Sequence, residues 1–187
     1  MKQLIFKSIA AGFLVGVGVV INTLAPNPII GAMLFSVALL AIIKNNLMLY
    51  TGKIGYAPQI HFKYLLAIML VGNFIGVLLP VFMMHEKVLF AMEMTALNKF
   101  SASFLSLFFY GILCGVMMFL AVLSKDTVIT VFCIMTFILS GFEHCIADFP
   151  YLILQFTPVN LAKFLCIVAG NSVGSIGFYY LVRRSDT

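Results

Sequence analysis

Charged residues are scarce in this chain of 187 residues. Only 9% of the residues are Asp, Glu, Lys or Arg, whereas 63% are hydrophobic. A soluble globular domain carries about 25% charged residues, and so few charges cannot build a water-soluble surface. The composition therefore excludes a soluble protein and predicts an integral membrane protein whose surroundings are the lipid bilayer. The net charge of +5 is too sparse to indicate a nucleic-acid partner.

Motifs of metal, redox and nucleotide chemistry are also missing. The four cysteines lie within apolar stretches without paired spacing, which is typical of small packing residues. No His-x-x-x-His, Cys-x-x-Cys or glycine-rich phosphate loop occurs. A haem or metal at His144 is the alternative, but His61 and His85 fall in loops on opposite sides and give it no second ligand. We therefore expect no metal, no cofactor and no enzymatic activity.

Six apolar stretches are each close to the roughly 20 residues that a helix needs to cross the hydrocarbon core. They cover about residues 5–24, 28–50, 64–84, 101–123, 127–148 and 159–182. The first stretch lacks the small-residue cleavage site of a signal peptide, so we interpret it as a retained helix.

Basic residues set the orientation through the positive-inside rule. If the N-terminus lies inside, the basic residues at the cytoplasmic ends of the spans outnumber those at the outer ends. The cytoplasmic residues are Lys2, Lys7, Lys53, Lys63, Lys125, Arg183 and Arg184, and the outer residues are Lys87, Lys99 and Lys163. This placement favours a multi-pass protein of the cell inner (plasma) membrane with both termini in the cytoplasm.

A weak internal repeat divides the chain into two halves. Residues 12–17 match residues 111–116, and Gly72-Asn73 matches Gly170-Asn171 at nearly the same offset. Each half then holds three spans, and an odd number of spans forces the halves into opposite orientations. We predict an all-α membrane protein with one domain over residues 1–187, built from two inverted three-helix repeats at about 1–86 and 99–187.

Small and amide residues recur at matching places in these two halves. The pairs Gly12/Gly16, Gly72/Gly76, Gly111/Gly115 and Gly170/Gly174 have the small-xxx-small spacing that lets helices approach closely. We expect the glycines to serve packing. We expect Asn73 and Asn171 to form hydrogen bonds with backbone groups that are freed where a helix is interrupted.

The second span of each half is polar and broken. We predict one break from about Lys44 to Gly52 and another from about Thr136 to Ser140. Non-helical backbone at membrane depth is tolerated only where it is buried in protein or lines a cavity, so the two broken spans are expected to face each other across a path. After the second break, Glu143, His144 and Asp148 put ionisable groups at membrane depth, which usually marks a substrate path.

The run from Leu139 to Phe149 resembles the signature of the formate/nitrite transporter family, which reads roughly Ser-Gly-Phe-Glu-His-Ser-Ile-Ala-Asn. The match is close at 140–144 and 146–147, and it departs at Cys145 and Asp148. Further motifs match in the same order along the chain. They are Leu34-Phe35-Ser36, Leu49-Tyr50-Thr51-Gly52, Gly72-Asn73, Gly111-Ile112-Leu113-Cys114, Leu120-Ala121-Val122 and Gly170-Asn171.

This resemblance implies a homopentamer in which each protomer is an aquaporin-like six-helix bundle with its own pore. It implies passage of small monovalent anions or their conjugate acids, such as formate, nitrite, acetate, lactate and hydrosulfide. The family's central histidine falls on His144, and the threonine that meets it falls on Thr51. Its vestibule lysine falls on Lys99, and its apolar constriction falls on Phe35, Leu39, Leu49, Tyr50 and Phe137.

Three positions depart from the family pattern. Met48 stands where the family has an acidic residue, and Gly115 and Asp148 stand where it has asparagines. The added carboxylate and the lost amides concern the choice of substrate more than the fold.

These residues indicate how a weak acid could cross an apolar slit. A naked anion meets a very large solvation penalty there, whereas a neutral acid of the same size does not. His144, whose ordinary pKa is near 6.5, could exchange the proton, and Lys99 could concentrate anions at the mouth. The prediction is a channel or transporter for small monovalent weak-acid anions such as formate or nitrite. Because Asp148 would repel anions, the alternative is an aquaporin-like pore for a small neutral solute or hydrosulfide.

The sequence leaves two interpretations open for several polar residues. Lys99 is either a vestibule residue or an interfacial lysine that snorkels. Asp148 lies either at the outer surface or at the mouth as a selectivity residue, and we favour a pair with Lys99. Lys44 either pairs with an acid or lies at the cytoplasmic mouth. On a helix, Glu143 would point about 100° away from His144, so we expect it to cap or pair.

Overall fold

The computed structural model describes residues 1–61 and 63–183, and within them the chain is helical with no strand. The helices begin where the sequence supplies caps: the side chains of Asn27, Ser103 and Asp126 each accept a hydrogen bond from the backbone three residues on. The helices are α1 (Lys2–Leu24), α2 (Pro28–Lys44), α3 (Tyr50–Lys53), α4 (Tyr64–Phe82), α5 (Glu86–Lys99), α6 (Phe104–Ser124), α7 (Thr127–Leu139), α8 (Cys145–Leu154) and α9 (Pro158–Arg183), with a 3-10 helix at Ile54–Gln59.

Four of these helices, α1, α4, α6 and α9, are long and apolar enough to cross a membrane, and α2, α7 and α8 are shorter apolar helices. Large apolar side chains such as Phe6, Phe132 and Leu181 are exposed on the outer faces. A surface of this kind suits contact with hydrocarbon, because lipid tails solvate apolar side chains and water does not. The structure thus agrees with a multi-pass helical membrane protein.

The long helices pack in two pairs, α1 against α4 and α6 against α9. Glycine allows the close approach in both pairs. A Cβ atom at Gly12 would overlap the backbone of Asn73, and one at Gly115 would overlap the backbone of Asn171. The prediction that these glycines serve packing is confirmed.

The segment between the third and fourth predicted spans forms a helix that the sequence analysis treated as a connection. Helix α5 (Glu86–Lys99) is capped by the His85 side chain and buries Met92 and Ala96 against the rest of the protein. Its apolar residues are too few and too scattered to indicate a span, which is why hydropathy alone missed it. The helix matters because it ends at Lys99 and carries that side chain over α8.

Candidate permeation pathway

Two interruptions in the helices define the centre of the molecule. After α2 the chain leaves the helix over residues 45–49, and after α7 it leaves it over residues 140–144. The first break lies within the predicted segment. The second was predicted too early, at 136–140: Thr136 and its neighbours up to Leu139 continue α7, because nothing in that turn stops a helix. Glu143 and His144 therefore lie inside the break and not on a helix after it.

Both helices before the breaks end with the same turn. Asn46 after α2 and Gly141 after α7 adopt the left-handed conformation, with φ of 49° and 68°. The next residues, Leu47 and Phe142, donate their N–H groups back to the last helical turn at 3.0 and 2.9 Å. This arrangement is the Schellman motif, for which glycine and then asparagine are the favoured residues. Gly141 was thus the sequence signal that marks the true position of the second break.

Asn73 of α4 holds the first break. Its Nδ2 donates hydrogen bonds to the carbonyl oxygens of Ser8 (2.7 Å) and Met48 (2.8 Å). Its Oδ1 accepts the N–H of Tyr50 at 2.8 Å. One buried amide therefore satisfies two backbone groups of the break, those of Met48 and Tyr50, which would be costly to leave unpaired at this depth, and also binds α1 at Ser8.

Asn171 of α9 holds the second break in the same way. Its Nδ2 donates to the carbonyl oxygens of Gly111 and Glu143, each at 2.8 Å. Its Oδ1 accepts the N–H of Cys145 at 2.9 Å. The prediction that both asparagines bind freed backbone groups is confirmed.

His144 and Thr51 join the two breaks to each other. The His144 Nε2 and the Thr51 Oγ1 are 2.9 Å apart, and both residues are almost completely buried. The His144 Nδ1 accepts the backbone N–H of Ala147 at 3.2 Å and so caps α8. An accepting Nδ1 carries no proton, so the neutral ring holds its proton on Nε2 and donates a hydrogen bond to the Thr51 Oγ1. The ring also stacks on Phe137, with centroids 5.7 Å apart.

Two cavities lie near the breaks, one lined by residues of each break. The histidine cavity has a volume of about 150 Å³ and is lined by His144, Phe35, Phe137, Lys99 and Asp148, among others. The lysine cavity has a volume of about 400 Å³. Its polar lining comes chiefly from Lys44, Lys53 and Lys125, with Asn46 and Tyr56, and its apolar end is formed by Leu39, Leu49 and Met118.

Four of the five apolar residues predicted for a constriction line one or the other of these cavities. Phe35 and Phe137 meet edge to face, with ring centroids 6.2 Å apart, on the histidine side. Leu39 and Leu49 are buried on the lysine side. Tyr50 lines neither cavity: its hydroxyl is 2.9 Å from the Ser172 hydroxyl on α9, and its ring is part of the packed core.

Lys99 is held by two carboxylates beside the histidine cavity. Its Nζ contacts the Glu143 carboxylate and lies 3.1 Å from the Asp148 Oδ1. The expected pair of Lys99 with Asp148 is present. Asp148 is only 3% exposed, so the alternative that it is a surface residue at a helix end is wrong. Glu143 pairs, as expected, but it reaches Lys99 because it lies in the break, where the helical angle to His144 does not apply.

The lysine cavity was not predicted by the sequence analysis. In the sequence analysis, Lys53 and Lys125 were used only to set the orientation in the membrane, and the role of Lys44 was left open. No ion pair of these three side chains occurs among the residues that the structure describes, and no acidic residue in the described ranges lines the cavity. The sequence signal was the presence of Lys44 before the first break and of Lys53 at the end of the short helix α3 that follows it.

Comparison with known proteins agrees with this geometry. The sequence model of the formate/nitrite transporter family matches residues 1–184. Among solved structures, an "FNT family ion channel" has a TM-score of 0.81 and 24% identity, covering 100% of this chain and 90% of that one. A "pentameric formate channel with formate bound" has a TM-score of 0.77 and 19% identity, covering 98% and 97%. No curated protein sequence is similar enough to match.

The family model that matches this chain describes transporters, and the fold is shared with solved channels. More specifically, the chain belongs to the formate/nitrite transporter family.

Proposed function

We propose that this protein is a membrane channel or transporter for small monovalent weak-acid anions, formate, nitrite or a close analogue, which cross its apolar centre as the neutral acid. The observation that carries the proposal is the buried His144–Thr51 hydrogen bond, with apolar side chains lining the cavities near both breaks. The family match supports the substrate class.

In this proposal each part of the path has a separate task. The unpaired lysines of the lysine cavity raise the local anion concentration, because like charges in a concave site focus the field. The constriction of Phe35, Leu39, Leu49 and Phe137 excludes hydrated ions, since an anion there would lose its water without gaining a partner. His144 donates a hydrogen bond from Nε2 to an oxygen of the permeant species and so assists its protonation, and Thr51 accepts that hydrogen bond when no substrate is present.

The proposed architecture has six spans in two inverted three-helix repeats. Helix α2 with α3, and α7 with α8, each form one interrupted span, and α1, α4, α6 and α9 form the other four. The similar asparagine contacts at the two breaks support the repeat. The protein lies in the cell inner membrane with both termini in the cytoplasm. In this orientation the lysine cavity faces the cytoplasm and the histidine cavity faces outward.

We further propose a homopentamer, as in the similar pentameric formate channel. Exposed apolar side chains on every long helix leave faces that could contact either lipid or another protomer. A native mass spectrum in mild detergent is expected to show five copies. A spectrum with monomer or dimer only contradicts this part of the proposal.

Flux in proteoliposomes tests the function. Vesicles loaded with a pH-sensitive dye are mixed with formate, nitrite, acetate, lactate or hydrosulfide, and glycerol entry is followed by light scattering. We expect formate or nitrite to acidify the lumen faster as the external pH falls, because each crossing carries a proton. The Gly177→Ala variant is a matched control, since a methyl group there meets no neighbouring atom. Rates equal to those of empty vesicles for every weak acid contradict the proposal.

The second candidate is an aquaporin-like pore for a small neutral solute or hydrosulfide. One observation favours it: both Asp148 and Glu143 contact Lys99, so the histidine cavity offers no free positive charge to an anion. Glycerol entry without formate-driven acidification is the result that would select this candidate over the first.

A further inference from the structure

The charges around Lys99 do not balance in their ionised forms. One ammonium group contacts two carboxylates, those of Glu143 and Asp148. The side chains of the two acids are 7% and 4% exposed, and that of Lys99 is 17% exposed. With all three groups ionised, this buried cluster would carry one net negative charge. A net charge in a low-dielectric site is costly unless it is paired or neutralised by a proton.

One carboxylate oxygen in the cluster also lacks a donor. Asp148 Oδ2 is buried and has no hydrogen-bond partner among the described residues. The Asp148 carboxylate faces Glu143 as well as Lys99. Two ionised carboxylates cannot bond to each other, because each is an acceptor only. A single proton held between them would satisfy Oδ2 and bring the cluster to neutrality at once.

The cluster lies at the place where a permeant acid would exchange a proton. Lys99 and Asp148 line the histidine cavity together with His144. His144 is poorly suited to become doubly protonated and act as the acid, because its Nδ1 already accepts the N–H of Ala147 and caps α8. The titratable groups that face the Asp148 carboxylate or share its cavity are Lys99 on α5, Glu143 and His144 in the break, Cys145 and Tyr151 on α8, and Cys114 on α6.

We propose that Glu143 and Asp148 together retain one exchangeable proton beside Lys99, and that this acid pair is the proton donor for an anion in the histidine cavity. The inference rests on the proposed function. In the donating step the O–H bond of the carboxylic acid breaks, and the proton joins the anion to give the neutral acid. The cluster is left with one negative charge until water on that side returns a proton. In the opposite direction the pair accepts the proton of the arriving acid.

Infrared spectroscopy tests the retained proton independently of any flux. We expect wild-type protein at neutral pH to show the carbonyl stretch of a protonated, buried carboxylic acid. Either Asp148→Asn or Glu143→Gln is expected to abolish this band. In each variant one carboxylate remains opposite Lys99, the cluster is neutral, and no proton is needed. The control is Glu93→Gln, whose carboxylate binds Gln155 away from the cluster and whose removal should leave the band in place.

A wild-type spectrum without the band overturns the proposal, as does a band that survives both substitutions. Size-exclusion profiles of the two variants show whether they assemble. Two different single substitutions keep the test informative if one of them fails to fold. If wild-type protein transports no weak acid, the proposed function fails. The infrared result still shows whether Glu143 and Asp148 retain a proton.

Formate flux provides the second test. In Asp148→Asn we expect flux at neutral pH to fall by about a hundredfold, the low end of what a positioned general acid contributes. The loss should be smaller at acidic pH, where solvent supplies the proton, and the same at low and high salt, because the cluster is neutral before and after the change. If both acids were ionised instead, the same substitution would remove a repelling charge and raise anion flux most at low salt. That result overturns the proposal.

Discussion

The two breaks have the same backbone support and opposite side-chain chemistry. In each, a buried asparagine two helices further along the chain binds two carbonyl oxygens and one N–H. The residue before the helix that follows is Leu49 in the first break and His144 in the second. The comparison teaches that the scaffold tolerates different residues at this position. The side chain at this position can therefore differ between the breaks while the hydrogen bonds to the backbone stay the same.

The strongest way to break the comparison is to remove an asparagine. Asn73→Leu and Asn171→Leu each leave two buried backbone groups of a break without a partner, at about 1–3 kcal/mol per group. This loss is a large part of the whole stability of many proteins, about 5–15 kcal/mol. We expect both variants to lose assembled protein in size-exclusion chromatography, to a similar degree. Asn98→Leu, at an exposed position, is the control and should behave as wild type. Tolerance of one substitution but not the other would show that the two supports are unequal.

A smaller loss is expected at the glycine contacts of the two long-helix pairs. Gly76→Ala places a methyl group against the backbone of Ile9, and Gly115→Ala places one against the backbone of Asn171. Overpacking of this kind costs about 1–3 kcal/mol, so the thermal unfolding temperature should fall in both. Gly177→Ala meets no neighbour and should leave that temperature unchanged or raise it, because alanine favours a helix. Equal unfolding temperatures in all three variants would contradict the close approach.

His144→Asn sharpens the difference between the breaks. Asparagine can still cap α8, so we expect the variant to assemble, but it lacks the ring that bonds to Thr51. Loss of a donor to a charged or polarised group is worth about 1.5–3 kcal/mol, or about 10- to 100-fold in formate flux, with a changed pH profile. His85→Asn keeps the cap of α5 outside the path and is the control. A wild-type pH profile for every substrate in His144→Asn would remove His144 from proton exchange.

The smallest effect is expected in the lysine cavity. Lys53→Gln removes one charge, and a charge at about 4 Å in water is worth about 1 kcal/mol. Formate flux driven from that side should fall about fivefold at low salt and little at high salt, where screening is strong. Lys63→Gln changes the same net charge outside the cavity lining and should have less effect. An identical response of both variants would mean that only net charge matters.

Much of this arrangement could be predicted from the sequence because it depends on local pattern. The glycine pairs, both asparagines and the meeting of Thr51 with His144 were all available from motifs. Helix α5 was not, because a helix that buries only Met92 and Ala96 has no strong apolar signal.

Residues of the second break were misplaced for a different reason. The apolar residues up to Leu139 do not indicate where the helix ends. The residue that indicates the end is Gly141, which adopts the left-handed conformation. Placing Glu143 by helical geometry was therefore wrong, and its contact with Lys99 needed the structure. The pore role of Tyr50 stays a prediction from its motif, and the contact of its hydroxyl with Ser172 on α9 could not be read from that motif.

The asparagine contacts also have a consequence for biogenesis. Asn73 binds only residues that precede it in the first half, and Asn171 binds only residues of the second. The chain is synthesised from the N-terminus, so the first half enters the membrane before the second. The first break can thus be sealed against lipid as soon as α4 enters the membrane, before α6 has left the ribosome. The Thr51–His144 bond, in contrast, joins the two halves. Each half of a nascent chain can therefore pair its own backbone groups in the bilayer before the other half is present. The contact between Thr51 and His144 forms only when the two halves pack together.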